Sequence, residues 1–240
     1  MNNKTQVKVI GIDLAKNVFQ IHGRDARGKV VMEKSVKRLK LKDNIAALEN
    51  CTIAMESCSS SNYWAQEFRR MGHKVKLMAP QHVKPYVQGN KDDRADAAAI
   101  AEAGTSSHVR SVSIKEPWQQ DILSTLRVRC RMIRQRTAIK NELRSILAEY
   151  GIVFAKGWKP LRIGMEQILG GRLTVRDTVF DLVEELYTEI LTLNERIAKY
   201  DRKISNWAKE LSACRELTKL RGIGPITATA VVVIMGNPQN

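Results

Sequence analysis

The sequence predicts an α/β fold, in which a mixed β-sheet with flanking helices is followed by a long antiparallel helical region. Two patterns predict it. The first hundred residues hold short β-branched runs in the order of three strands and then alternating helices and strands, which combines an antiparallel meander with parallel crossovers. After Gly104, apolar residues recur at steps of three and four, as in amphipathic helices. We therefore predict three domains, over residues 1–108, 109–215 and 216–240.

The first three strands are predicted from β-branched content and turn residues. Val7 to Asp13, read as VKVIGID, is an apolar run that ends in a carboxylate, and it predicts a central strand. Strands from Val18 to Gly23 and from Lys29 to Glu33 flank the turn formers RDARG, so we expect a hairpin there.

Helices and strands then alternate. The pattern predicts a helix from Leu41 to Leu48, a strand from Thr52 to Glu56, a helix from Tyr63 to Met71, a strand from Val75 to Met78, a segment from Pro80 towards Val87, and a helix start within KDDRADAAAIAEA.

Four acidic residues of this region are the candidate site. Asp13 and Glu56 end two predicted strands, and the carboxyl ends of parallel strands meet at one edge of a sheet. Asp93 and Asp96 lie on one helical face, three residues apart, and the loop Gly89-Asn90-Lys91 precedes them. Asp92 is a competing candidate, and acids at a helix start also serve as caps. Clustered carboxylates bind hard divalent ions, so we predict Mg²⁺ or Mn²⁺ here. Arg94 and Lys91 are candidates to steady a phosphate.

Composition limits the class of protein. The 240 residues have a hydrophobic fraction of 43%, which fits a globular chain, and no apolar run long enough to span a bilayer. Without a signal-peptide pattern, we expect a cytoplasmic protein that does not bind membranes.

The four cysteines form no CxxC pair, so we expect reduced, buried thiols, without structural zinc or disulfides. Forty basic residues against 25 acidic ones give a net charge of +15, which favours a nucleic-acid partner.

A long basic helix is predicted from Pro117 to Tyr150. Leu123, Leu126, Cys130 and Ile133 form its apolar stripe. Its surface carries the residues that we predict to bind nucleic acid, namely Arg127, Arg131, Arg134, Arg136, Lys140 and Arg144. Of these, the first three form one stripe. A merely solvated helix face is the alternative.

A break from Gly151 to Gly171 is predicted next, because this segment is rich in glycine and holds Pro160. Within it, Trp158 is expected to pack against the protein. A slightly acidic helix from Val179 to Leu211 then repeats apolar residues at steps of three and four. We expect it to form an antiparallel hairpin with the first helix, or a coiled coil between subunits of a dimer or tetramer.

The segment LRGIGPITATA resembles the turn of a helix-hairpin-helix element. Gly222 and Gly224 would let backbone N–H groups approach a DNA phosphate at a helix N-terminus. An ordinary helix cap with a turn explains the same residues.

The segments GIDLAKNVFQ, AMESCSSSNYWAQEF, KDDRADAAAIAEA and GIGPITATA resemble, in order, those of the DEDD-type insertion-sequence transposases. The N-terminal domain of that family is similar to the RuvC Holliday-junction resolvases. The resemblance implies an RNase H-like fold, an acidic tetrad at Asp13, Glu56, Asp93 and Asp96, and DNA recombination during transposition with a structured guide RNA. The family's C-terminal domain continues further and carries a serine nucleophile. Because this sequence ends at Asn240 without a matching serine, we expect a truncated C-terminal domain.

Three other functions stay open. A truncated transposase that binds nucleic acid without catalysis fits the same residues, and so does a RuvC-like nuclease. Actin-like sugar kinases and chaperone ATPases also start with a strand that ends in GID. They require small residues and a phosphate-gripping turn after the acid, where this chain has Leu14-Ala15-Lys16-Asn17.

Overall fold

The computed structural model describes residues 6–87 and 92–235, which divide into two compact units. Of the described residues, unit 1 holds those up to Glu116 together with Met235, and unit 2 extends from Pro117 to Ile234. The predicted loop Gly89-Asn90-Lys91 lies outside the described residues.

Unit 1 is built on one sheet of six strands. They are β1 (Val9–Asp13), β2 (Val18–Arg24), β3 (Val30–Lys37), β4 (Thr52–Glu56), β5 (Lys74–Met78) and β6 (Ser111–Val112). The strands lie in the order β3-β2-β1-β4-β5-β6. β1, β2 and β3 are antiparallel neighbours, β4 is parallel to both β1 and β5, and β6 is antiparallel to β5. This order confirms the predicted fold class, an RNase H-like mixed sheet with flanking helices.

Four helices accompany the sheet, namely α1 (Leu41–Ala46), α2 (Ser61–Arg70), α3 (Pro80–Val83) and α4 (Asp93–Thr105). Short 3₁₀ turns at Arg38–Lys40 and Lys84–Tyr86 join them. The two faces of β4 show how the layers form. Ile53 and Met55 belong to a core that includes Trp64 and Phe68 of α2, whereas Ala54 belongs to a second cluster with residues of α4. Because successive strand residues face opposite sides, the sheet is covered on both faces.

Small residues bring α4 unusually close to the sheet. A Cβ atom at Gly11 of β1 would lie 2.3 Å from the Ala97 carbonyl oxygen and 2.4 Å from the Ala101 nitrogen. A Cβ atom at Gly104 would lie 2.5 Å from the Cβ atom of Ala54. All three distances are below van der Waals contact, so only glycine permits this packing at the two positions.

Two strands of unit 1 differ from the prediction. β3 extends to Lys37 instead of ending at Glu33, because its pairing with β2 continues to the Val18–Lys37 pair. Its exposed Lys34 and Lys37 conceal this extension in the sequence. β6 was not predicted, since two residues are too few to show a period.

Unit 2 is helical. Its helices are α5 (Pro117–Glu149), α6 (Trp158–Leu169), α7 (Asp177–Glu210), α8 (Ser212–Thr218) and α9 (Pro225–Met235). α5 and α7 are antiparallel, because Arg129 pairs with Asp201 whereas the later Gln135 donates to the earlier Glu189 at 2.7 Å. The hairpin option of the prediction therefore describes this pair.

The predicted break from Gly151 to Gly171 is wrong, because α6 lies within it. Leu161, Met165 and Ile168 are its buried face, at steps of four and three. Pro160 is tolerated because it lies in the first turn. Gly164 lies against the ring of Phe154, where a Cβ atom would come 2.2 Å from Cζ, so this glycine serves packing rather than ending the helix.

The expectation of buried thiols holds for only two cysteines. All four are free, but Cys58 and Cys130 are exposed while Cys51 and Cys214 are buried. Cys130 was placed on the apolar stripe of α5. The buried residues of that helix instead belong to two clusters, one with Ile122 and Leu126 and the other with Met132 and Leu143, and Cys130 lies outside both.

Within residues 6–87 and 92–235, the helices are too short or too polar to cross a bilayer.

Candidate metal centre and nucleic-acid interface

Asp13 and Glu56 lie at the same edge of the sheet. β1 and β4 are parallel, and Ile12 pairs with Met55, so each acid follows a paired residue at the carboxyl end of its strand. Both side chains are half-buried. The predicted adjacency of these two strand ends therefore describes the structure.

The first turn of α4 brings the other acids to this region. Asp92 is the N-cap residue, and its carboxylate accepts a 2.7 Å hydrogen bond from the Ala95 nitrogen, which assigns it to capping. Asp93 and Asp96 follow in the first turn. Asp96 lines one groove together with Glu56 and Lys84. The close packing of α4 on Gly11, two residues before Asp13, holds the start of the helix near the end of β1.

The electrostatics of Asp13 show that the four acids interact. The pKa of Asp13 is raised from 3.8 to about 6, first by burial and then by the negative charges of Asp96, Asp93 and Glu56, in that order. The backbone N–H of Leu14 donates to the carboxylate and acts in the opposite direction. Four like charges gathered at one edge favour a cation among them.

The donor set fits an ion that keeps part of its own hydration. Within the described part of the chain, no three His, Cys, Asp or Glu side chains are arranged to enclose a metal ion. Mg²⁺ does not need such a cage, because one or two carboxylates usually hold it while water and phosphate oxygens complete the octahedron. Carboxylate oxygens are also its preferred protein ligands. Asp13 and Glu56, with Asp93 and Asp96 beside them, suit this mode of binding.

A basic groove adjoins the carboxylate edge. It is lined by the β1–β2 loop around Lys16, by Arg38, and by the segment before α2 that includes Ser60. The Arg38 guanidinium donates to the Lys16 carbonyl at 3.3 Å and lies 5.5 Å from the ring centroids of both Phe19 and Trp64. Sequence reasoning missed both cations, since nothing in a chain with 40 basic residues singles them out.

Arg94 lines a small cavity beside the same strands, together with Gln20, His22 and Ser35. Gln20 is the β2 residue that pairs with Asp13. His22 is buried and bonds through Nδ1 to Glu33 at 3.2 Å. Its pKa is lowered by burial and then by the charge of Arg24, whereas Glu33 acts in the opposite direction. Lys91, the other residue predicted to steady a phosphate, lies outside the described residues.

The predicted basic residues of α5 fall into two groups. Arg127, Arg131 and Arg134 are exposed, as a solvent-facing stripe requires. Arg136, Lys140 and Arg144 are half-buried and contact other helices of unit 2. Trp158 packs as expected, with its ring stacked on Tyr187 at a centroid distance of 6.0 Å.

Gly222 and Gly224 lie in the turn between α8 and α9. Gly222 has a φ of +89°, which favours glycine, and no heavy atom lies within 4 Å of a Cβ built there. The Gly224 carbonyl accepts a 2.9 Å bond from the Ala228 nitrogen, and α9 begins at Pro225. The turn thus has the local form of two helices joined through glycine, and it leaves its backbone open to solvent.

Comparisons with known proteins agree on one family. A model of the DEDD-type IS110 transposases, described as a transposase, matches residues 10–152. The chain is 40% identical over 232 residues to a probable family 20 transposase of Pseudomonas aeruginosa, covering 96% of this chain and 69% of that protein. It is 38% identical over 234 residues to the transposase for insertion sequence element IS1111A of Coxiella burnetii, covering 96% of this chain and 64% of that protein. The chain therefore spans about two thirds of the length of these relatives.

Among solved structures, the chain has a weak similarity to T. thermophilus RuvC in complex with a Holliday junction substrate. The sequence identity is 17% and the TM-score is 0.28, over 40% of this chain and 90% of that one.

Proposed function

Because this chain belongs to the DEDD-type IS110 transposase family, we propose that it acts on DNA phosphodiesters through a divalent-metal site at Asp13, Glu56, Asp93 and Asp96. The observation that carries the proposal is the placement of the acids: Asp13 and Glu56 follow paired residues of two parallel strands, and Asp96 shares a groove with Glu56. The raised pKa of Asp13, to which burial and the other three acids contribute, agrees with this placement. A structural salt-bridge network would lower the pKa of a carboxyl instead.

Each acid has a role that follows from its position. Asp13 and Glu56 would hold the ion from two adjacent strand ends, on a rigid part of the sheet. Asp93 and Asp96 would complete the site from the first turn of α4. A bound Mg²⁺ or Mn²⁺ would act as a Lewis acid that neutralises the charge on a phosphate and lowers the pKa of a coordinated water. Lys16 and Arg38, in the adjoining groove, would bind the neighbouring phosphates of the strand.

The partners that we propose are polyanions. The net charge of +15 and the exposed stripe of Arg127, Arg131 and Arg134 support binding of DNA and of a structured guide RNA. The glycine turn at Gly222 and Gly224 offers backbone N–H groups to a phosphate at the start of α9. We also propose that the protein assembles as a homo-oligomer, either a dimer or a tetramer.

Calorimetric titration with Mg²⁺ and Mn²⁺ tests the metal site. The wild type should bind, and the Asp13→Asn, Glu56→Gln double variant should bind at least tenfold more weakly, because two ligand charges are removed. The matched control is Asp181→Asn, Glu184→Gln, which removes the same charge from exposed positions on α7. Equal metal affinity in all three proteins would disprove the site.

One observation favours an alternative, a transposase remnant that binds nucleic acid without cutting it. The described acids do not enclose a metal ion by themselves. Nicking of supercoiled DNA with Mg²⁺, in the presence of the element's RNA, separates the two functions. Metal-dependent nicking that the double variant lacks supports the enzyme, whereas binding without nicking supports the remnant.

A further inference from the structure

Three cations of α5 form a cluster that differs from the rest of its basic surface. Arg136, Lys140 and Arg144 are spaced by four residues, so they lie on one face of the helix, and all three are half-buried. We refer to them as the α5 cation cluster. By contrast, Arg127, Arg131 and Arg134 project into solvent.

Contacts with α6 and α7 hold the cluster in place. Arg136 donates to the Asn194 side chain of α7 at 2.8 Å. The Lys140 Nζ lies 4.3 Å from the ring centroid of Trp158, at the start of α6. Arg144 donates to the carbonyl of Gly157, the residue that precedes α6. Three helices therefore position the three charges before any ligand binds.

The cluster lacks an ion-pair partner in the part of the chain that the structure describes. Among the ion pairs formed by residues 6–87 and 92–235, none includes a member of the cluster. The Nε atoms of Arg136 and Arg144 are buried and make no hydrogen bond with the described residues. Burial lowers the pKa of Lys140, and the charges of Arg136 and Arg144 lower it further.

Such an arrangement is costly for the free protein. Like charges repel more strongly when they are partly removed from water, and a buried donor without an acceptor keeps its desolvation cost. A site that carries these costs, yet is held rigidly by its neighbours, is typical of a binding surface prepared for an anion.

We propose that the α5 cation cluster binds phosphate groups of a nucleic-acid backbone, with Lys140 at its centre. This inference rests on the proposed nucleic-acid function and assigns part of it to a defined site. Guanidinium and ammonium groups donate short, strong hydrogen bonds to phosphate oxygens. The cluster extends over about 12 Å at 1.5 Å per residue, which suits successive phosphates of one strand better than a single carboxylate. Lys156 and Lys159, which flank the start of α6, are exposed and extend the positive surface.

The central test uses Lys140→Met, because Lys140 is in contact with Trp158 and donates none of the hydrogen bonds described above. Methionine keeps an unbranched side chain that is only one atom shorter and packs well on aromatic rings, while it removes the charge. Lys199→Met is the matched control, as it makes the same substitution at an exposed lysine of α7 to which no binding role is assigned. Lys140→Arg restores the charge. Every measurement is made in EDTA, so that its outcome does not depend on the proposed metal site.

The first readout is thermal unfolding with inorganic pyrophosphate, against chloride at equal ionic strength. Pyrophosphate should raise the melting temperature of the wild type, the Lys199→Met control and Lys140→Arg, and should have little effect on Lys140→Met. In chloride, Lys140→Met should be at least as stable as the wild type, since repulsion is relieved. A purely structural role for Lys140 would instead destabilise the variant in both salts.

The second readout is the affinity for a 20-nucleotide RNA hairpin and for a DNA duplex. Lys140→Met should weaken binding of at least one of them about tenfold, and Lys199→Met by no more than about twofold. Loss of the pyrophosphate effect with unchanged nucleic-acid binding would identify a small-phosphate site and overturn the backbone assignment. Equal effects of Lys140→Met and Lys199→Met in both readouts would show that only net charge matters, and would overturn the site.

Discussion

Replacing Asp13 by asparagine should stabilise the metal-free protein while abolishing its metal binding. The carboxyl group of Asp13 has its pKa raised from 3.8 to about 6, chiefly by burial. A shift of this size corresponds to about 3 kcal/mol against the folded state at neutral pH, at about 1.4 kcal/mol per pKa unit. Because Asp13 is partly exposed, solvent screening reduces the expected gain in Asp13→Asn to about 1–2 kcal/mol.

The sign of the effect depends on pH. A raised pKa means that the folded state binds the proton more tightly than the unfolded state, so folding loses stability as pH rises from about 4 to about 6. Above that window the wild type carries the full penalty, and below it the carboxyl is protonated in both states. The advantage of Asp13→Asn should therefore be largest at pH 7 and close to zero at pH 3.5.

Hydrogen exchange of the β1 and β4 amides in EDTA measures this difference, because it reports the opening of unit 1 alone. The exposed substitution Asp181→Asn on α7 is the control and should change these rates little. Adding Mg²⁺ should slow exchange in the wild type and leave Asp13→Asn unchanged. If Asp13→Asn exchanges as fast as the wild type at pH 7, or faster, the carboxylates do not repel one another and the proposed site loses its support.

Three further predictions follow from packing. Gly11→Ala should destabilise unit 1 by about 1–3 kcal/mol and weaken Mg²⁺ binding, because the added methyl group meets backbone atoms of α4. Urea unfolding measures the loss of stability, and calorimetry measures the metal affinity. Unchanged metal affinity would contradict the link between this packing and the metal site. Leu143→Ala, at a fully buried site of unit 2, should cost about 2–5 kcal/mol without altering Mg²⁺ affinity. A disulfide reagent should react rapidly with the exposed Cys58 of the native protein. It should react with Cys51 only after unfolding, because burial raises the pKa of that thiol to about 11. Rapid labelling of Cys51, located by mass spectrometry, would refute its burial.

Much of the sheet could be predicted because its signals are local. β1 and β4 are β-branched runs with polar ends, and their observed bounds differ little from the predicted ones. The neighbouring positions of Asp13 and Glu56 followed from the rule for parallel strands. What could not be predicted is the close approach of α4, because the sequence does not show which glycine, among 14, will face a helix backbone.

In unit 2, by contrast, the sequence did not reveal every helix. The long repeats of α5 and α7 predicted two helices, but composition concealed α6, since Gly164 and Pro160 were interpreted as breaks rather than as a packing residue and a first-turn residue. The difference between Arg134 and Lys140 was also hidden. Both are cations on one helix, and only the position of Trp158 distinguishes an exposed charge from a half-buried one.

The contact between Gly11 and α4 limits how the carboxylate edge can adapt to a ligand. With backbone touching backbone, no layer of side chains lies between helix and strand to absorb a displacement. If α4 slid along β1, Ala97 and Ala101 would collide with the strand. The site can therefore rearrange only by changes of side-chain rotamer and by unwinding of the first turn of α4. We therefore expect a metal ion to bind at this edge quickly and with little movement of the backbone. Only the side chains of Asp93 and Asp96, in the first turn of α4, would be free to move towards the ion.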